Sequence, residues 1–269
     1  MQANQPYTII TGSSQGLGKA FAEICAKQKR NLILISLPNE NNGNLAQELS
    51  DKFNIEAIRY EVNLTKKEEL YKLVNFVKKF PVNILINNAG IGGANKFDEV
   101  SLDYLNNIIL LNIKSLVTLT HQLLPILKKQ EEAFILNISS LAAFAPMPFK
   151  TVYPASKAFV SSFSRGLKAE LKETNIHVAV AHPGPMATNE NVSKRVNALT
   201  GIVKFSVLSP EKTAEICLEK LLKKKAVIIP GKLNWFNSLL LRYVPTPIQL
   251  RILNGKLKTE TTNTFSDDS

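Results

Sequence analysis

Cysteine is nearly missing. Cys25 and Cys217 are the only two in 269 residues, too few for a disulfide framework, so a reducing, cytoplasmic setting is the expectation. Both stand among apolar helix positions, Cys217 near Ala214 and Leu221, as buried fillers do. Long apolar runs are missing too. The longest is Leu141–Ala145, five residues, against the roughly 20 a membrane-spanning helix needs. The opening Met-Gln-Ala-Asn-Gln-Pro lacks the basic and apolar regions of a signal peptide. Metal spacing is absent among His121, His177 and His182, and no cysteine ligand sits beside them, so no metal is expected. Acids run short: 22 Asp and Glu against 33 Lys and Arg leave a net charge of +11, which draws anions such as nucleotides or acidic headgroups. No aromatic RNA-binding signature or zinc pattern accompanies that charge, and no nucleic-acid partner is expected.

What is there is an ordinary globular composition, 45% hydrophobic and 20% charged, with no linker or low-complexity segment to divide it. Short apolar runs at Tyr7–Thr11, Leu32–Ser36, Ile55–Glu61, Asn83–Asn87, Ala133–Ser139, Ile176–Ala181 and Ala226–Ile229 read as buried strands. Between them lie helical patterns. Leu17, Ala20, Phe21, Ile24 and Cys25 keep one helix face. The others are Gly43–Phe53, Thr65–Lys79, Leu102–Lys129, Val152–Glu173 and Pro210–Lys223. Such alternation predicts an α/β domain over residues 1–258, with a parallel sheet covered by helices on both faces. Residues 259–269 form a polar tail.

Thr11-Gly12-Ser13-Ser14-Gln15-Gly16-Leu17-Gly18 joins the first strand to the first helix. Glycines there let a pyrophosphate approach the backbone, and the helix N-terminus offers it unpaired N–H groups. A glycine-rich turn alone is weak evidence; this placement strengthens it. The second strand ends at Ser36-Leu37 with neither an acid for a ribose 2′-hydroxyl nor a base for a 2′-phosphate. An acid would repel the phosphate, so its absence tilts the reading to NADP(H) over NAD(H), with Ser36 a candidate donor.

Tyr153 and Lys157 stand four residues apart at the start of a helical pattern, so phenol and ammonium share a face. A neighbouring cation stabilises a phenolate, and the phenol can then exchange a proton with a carbonyl or alcohol oxygen. Ser140 leaves the fifth strand 13 residues before Tyr153 and could orient that oxygen; Ser139 competes with it.

Together these residues resemble the short-chain dehydrogenase/reductase family. Thr11–Gly18 matches its glycine motif, and Asn87-Asn88-Ala89-Gly90 its motif after the fourth strand. Asn112, Ser140, Tyr153 and Lys157 match its catalytic tetrad, and Pro183-Gly184-Pro185-Met186-Ala187-Thr188 its motif after the sixth strand. The resemblance implies a single-domain Rossmann fold whose seven strands run in the order 3-2-1-4-5-6-7. It implies that Thr11, Gly12, Ser14, Gln15, Gly16, Leu17 and Gly18 line the pyrophosphate. Ser36, Asn63, Leu64, Asn88, Ala89 and Gly90 take the adenosine side, with Asn63 standing where the family often carries an adenine-binding Asp. Pro183, Gly184, Met186 and Thr188 take the nicotinamide side. Tyr153 becomes the general acid/base. Lys157 binds the nicotinamide ribose and lowers the phenol's pKa, while Asn112 holds a relay water. A homodimer or homotetramer through the helices of Asn112 and Tyr153 follows by the same resemblance.

Ser140, Phe144, Met147, Tyr153 and Met186 are the candidate substrate contacts. With Phe149, and Phe205 in a lid at 187–208, they suggest a pocket for a bulky apolar or lipid-like carbonyl or alcohol; plain core packing is the competing reading. Lys220–Lys258 carries nine Lys and Arg and no acid. In its helical extension, 232–258, Leu233, Phe236, Leu240 and Tyr243 form one stripe. That stripe either covers the cleft or a subunit partner, or lies in a membrane interface. A non-catalytic dinucleotide sensor or membrane-surface scaffold is the alternative to an enzyme.

Overall fold

Leu32-Ile33-Leu34-Ile35 leaves no polar face, so the strand that contains it has to be covered on both sides. The computed structural model, which describes residues 5–38, 40, 42–186 and 206–251, shows how. The strands are β1 Tyr7–Thr11, β2 Asn31–Ser36, β3 Ala57–Glu61, β4 Val82–Asn87, β5 Ala133–Ile138, β6 Ile176–Ala181 and β7 Val227–Ile228. They form one seven-stranded sheet in the order β3-β2-β1-β4-β5-β6-β7, parallel at every pairing. The helices are α1 Gly16–Lys27, α2 Asn42–Phe53, α3 Lys67–Val77, α4 Leu102–Ile109, α5 Leu116–Leu127, α6 Val152–Glu170, α7 Pro210–Leu222 and α8 Lys232–Tyr243. Thr188, Phe205, most of the 187–208 lid and residues 252–269 lie outside the described residues.

Alternation along each strand divides the core in two. Ile10, Leu32, Leu34, Ile84, Ile86 and Leu136 face α1, α2 and α7, where Cys25 and Cys217 are buried. Burial pushes both thiols up to about 12, which makes them poor nucleophiles. Ile9, Ile33, Ile35, Leu85 and Ile135 face α3, α5 and the end of α6. A buried polar ladder crosses the sheet: Asn87 Nδ2 donates to Asn137 Oδ1 at 2.8 Å, and Asn137 Nδ2 to Ser164 Oγ at 2.9 Å. It fixes α6 against β4 and β5. The strand order reverses between β1 and β4, so a crevice opens beyond Thr11 and Asn87, as the general rule for such sheets requires.

Boundaries differ from the sequence reading where side chains intercept the backbone. β3 starts later because Ile55 N–H donates to the Ser50 carbonyl. α3 starts later because Thr65 N–H and Oγ1 both donate to Asn63 Oδ1, at 3.0 and 2.7 Å. The pattern over Leu102–Lys129 is not one regular helix. Leu110–Ser115 is a π-helical turn between α4 and α5, and the extra residue rotates Asn112 and Ser115 to the buried side. The stretch Leu102–Leu127 is long and apolar enough to cross a membrane by length and composition; its buried face packs into the second core.

Candidate active site

The glycine loop is locked to the end of β4 before anything binds it. Asn88 N–H and Ala89 N–H each donate to Thr11 Oγ1 at 2.9 Å, and Asn88 Nδ2 donates to the carbonyls of Thr11 and Gly12. Gly12 and Gly16 have φ of 66° and 55°, a region where L-residues are strained. At Gly18 a Cβ would collide with the Gly12 carbonyl, so its glycine allows α1 to pack on the loop. Gln15 precedes α1 with no side-chain cap, and the first turn carries no acid. Ser36 is buried, its Oγ donating to the Leu37 carbonyl at 3.2 Å. Asn63 does not present a free amide oxygen to adenine, since that oxygen takes both Thr65 bonds. Leu64 is buried in the second core.

Ser140, Tyr153 and Lys157 meet where β5 ends and α6 begins. Ser139 is not the reacting serine candidate: its Oγ donates to the Lys157 carbonyl at 2.7 Å and is buried. Ser140 Oγ accepts from Ala142 N–H at 3.1 Å and also hydrogen-bonds with Tyr153. Tyr153 is only partly covered, yet burial of its hydroxyl pushes the phenol's pKa up, and the Ser140 bond pulls it back. Lys157 is 5% exposed. Its Nζ donates to the Ile138 carbonyl at 2.9 Å and lies 5.8 Å from the Tyr153 ring centroid. Burial lowers its pKa to about 8. The expected depression of the phenol by the ammonium is therefore not what the structure shows; desolvation wins, and Ser140 is the group that opposes it.

Asn112 is 1% exposed and acts as a clamp. Its Oδ1 accepts from Ile91 N–H and its Nδ2 donates to the Ile91 carbonyl, both at 2.9 Å, and Nδ2 also donates to Ser156 Oγ. Ser156 Oγ in turn donates to the Tyr153 carbonyl at 2.7 Å. The clamp holds the segment after Asn88-Ala89-Gly90 against the site. A Cβ at Gly90 would stand 3.1 Å from both Asn112 Oδ1 and Lys157 Nζ, and one at Gly92 would enter the Tyr153 ring.

A family model described as short chain dehydrogenase matches residues 6–198. The chain belongs to the short-chain dehydrogenase/reductase family. A very-long-chain 3-oxoacyl-CoA reductase of Anas platyrhynchos is 33% identical over 189 residues, covering 68% of this chain and 60% of the relative. The chain thus spans less than two thirds of that relative's length. A solved 7beta-hydroxysteroid dehydrogenase has the same fold, with a TM-score of 0.84 at 20% identity, covering 93% of this chain and 96% of that one. A short-chain dehydrogenase from Sphingobium yanoikuyae in complex with NADPH has a TM-score of 0.76 at 25% identity, covering 89% and 96%. The uncapped α1 N-terminus and the cradle at Gly12, Gly18 and Gly90, which Cβ atoms would fill, fit a nicotinamide dinucleotide.

Several neighbours of the site carried no sequence signal. Ser14 Oγ donates to Glu40 Oε2 at 2.6 Å, so an acid does reach the glycine loop, from beyond the strand end where acids are expected. A cleft beside Tyr153 is lined by Phe97, Tyr104, Leu105, Ile108 and Phe149. Of these only Phe149 was anticipated. Phe144 packs elsewhere: its ring lies 4.5 Å from that of His182, with the Arg242 guanidinium 4.2 Å from its centroid. His182 is 1% exposed, and burial lowers its pKa to about 4, so it is neutral at pH 7. Met147 is partly covered, and Met186 packs on the first core. Pro183 accepts a bond from Leu141 N–H at 3.0 Å, and Gly184 abuts Asn234.

Proposed function

We propose that this chain is an oxidoreductase that moves hydride between the nicotinamide and the carbonyl or secondary-alcohol carbon of a bulky apolar or lipid-like small molecule. The observation that carries the reading is the meeting of Ser140, Tyr153 and the buried Lys157, whose Nζ lies 5.8 Å from the Tyr153 ring centroid. The bound dinucleotide supplies the hydride carrier. Gly12, Gly16 and Gly18 with the α1 N-terminus hold its pyrophosphate. Lys157 would hold the ribose hydroxyls. A phenol held above its ordinary pKa is protonated at pH 7, so Tyr153 is ready to donate to a carbonyl oxygen. The phenolate left behind receives the Ser140 hydroxyl bond and the field of the Lys157 ammonium. Asn112 keeps the Ile91 backbone in register with both.

The acyl-chain chemistry named for the Anas platyrhynchos relative supports the substrate class. A panel of carbonyls tests it. Hydrophobic ketones and 3-oxoacyl thioesters are expected to have kcat/KM at least about tenfold above small polar carbonyls, the scale of one or two buried methylenes. Reduction of the polar carbonyls alone would refute the class, and cofactor binding without any turnover would favour the sensor. Exposed Ile109 on α4 and Phe159 on α6, at 44% and 40%, support a homodimer or homotetramer on those helices. The two free, buried cysteines are in keeping with a reducing cytoplasm.

NADP(H) is favoured over NAD(H) by the lack of an acid at Ser36-Leu37, but Glu40 at Ser14 works against a 2′-phosphate. The preference therefore turns on Glu40. Glu40→Gln removes a like charge worth about 1 kcal/mol near the surface, so the NADPH/NADH ratio of kcat/KM is expected to rise about fivefold. An unchanged ratio would place Glu40 away from the ribose.

A further inference from the structure

Helix α8 is built inside out. Its Asn234 and Ser238 are each 1% exposed. Asn234 Nδ2 donates to the Ser206 and Pro230 carbonyls, both at 2.9 Å, and its amide sits where a Gly184 Cβ would be. Gln249, also buried, donates to the Leu241 and Val244 carbonyls at 2.8 and 2.6 Å, closing the helix C-terminus. Leu233, Leu239 and Leu241 are half-buried, and the larger side chains point outward. Trp235, Phe236, Leu240 and Tyr243 are 54%, 53%, 47% and 81% exposed, and Ile248 beyond them is 51% exposed. A helix of a globular surface shows the reverse arrangement. α8 meets the loop after Ser140 through Arg242, stacked on Phe144, and the exposed side chains of the stripe lie away from that contact.

We propose that this face of α8 docks on an anionic lipid bilayer. Trp and Tyr are suited to the headgroup boundary, where one end of the ring is apolar and the other wet. Lys232 and Arg251 are exposed near the stripe, and no acid occurs from Lys220 to Lys258. Each such cation is attracted to an anionic leaflet. A second copy of this chain fits less well. A two-fold contact would set these cations against their own copies, which costs energy instead of returning it. The inference stands apart from the proposed chemistry, since binding is read without turnover.

The full-length protein is mixed with vesicles of phosphatidylcholine alone, or of phosphatidylcholine with phosphatidylglycerol, at about 0.15 M salt. Co-sedimentation is expected with the anionic vesicles only, weakening as salt rises. Trp235 is the single tryptophan, so its emission should shift to the blue on binding. Phe236→Glu with Leu240→Glu replaces two exposed residues, and should leave the unfolding midpoint unchanged while weakening vesicle binding at least about tenfold. Lys232→Gln alone should reduce binding to anionic vesicles by less. No binding of the unaltered chain to anionic vesicles overturns the proposal. So does binding that survives the double variant, or a concentration-dependent dimer that the double variant abolishes in a chain that ignores vesicles.

Discussion

Tyr153→Phe should lower kcat about a thousandfold, within the span that general acid–base groups contribute, and leave dinucleotide affinity within a few-fold. The phenyl ring keeps the contact against Gly92, so the fold at the start of α6 is retained. Only the hydroxyl that bonds with Ser140 is removed. Steady-state turnover and a cofactor-fluorescence titration, on the same preparation, separate the two quantities. A variant that keeps a tenth of the activity would show that the proton reaches the oxygen by another route. Equal loss of binding and turnover would mean instead that the ring holds the cofactor.

Lys157 offers the second large effect and a pH signature. Burial lowers the ammonium from its ordinary 10.5 to about 8, so the charge is present below that pH and is lost above it. If the charge supports the departing phenolate, kcat/KM for reduction falls as pH rises through about 8. Lys157→Met should be inactive to a degree comparable with Tyr153→Phe. Lys157→Arg, whose guanidinium stays charged up to pH ~12, should move the alkaline limb upward in whatever activity it keeps. Stability runs the opposite way. Between about 8 and 10.5 the unfolded chain holds more protons at this lysine than the folded one, so stability contributed by this group rises with pH across that window. Above about 10 the raised Tyr153 phenol opposes it, because the unfolded phenol ionises first. Activity that falls while the denaturation midpoint rises is the expected pairing. A rate flat from pH 7 to about 10 would remove Lys157 from the proton chemistry.

Much of this was legible residue by residue. The unbroken Leu32–Ile35 run required two covered faces and so a parallel sheet, and the interval between Tyr153 and Lys157 required a shared helix face. The glycine spacing implied a loop against which α1 packs, and Gly18 under the Gly12 carbonyl is that packing. Other features had no local signal. Glu40 reaches Ser14 across 26 positions of chain, and no pattern in either segment encodes the meeting. Asn63 matched a binding slot by position, but its oxygen is engaged by Thr65 two residues on, a bond that only the turn geometry reveals.

Periodicity, glycine placement and side-chain type by themselves determined the sheet, its helical cover, the family and the candidate trio, because each depends on chemistry repeated at short range along one strand or one helix. Tertiary structure alone decided the balance of burial and bonding at each group. It chose Ser140 over Ser139 by tying Ser139 to the Lys157 carbonyl. It raised the phenol that spacing said would fall. It also left Trp235, Phe236, Leu240 and Tyr243 of α8 facing outward, with Asn234 buried and bonded to the Ser206 and Pro230 carbonyls. A pattern specifies which residues share a face; which face is buried depends on surfaces brought from distant parts of the chain.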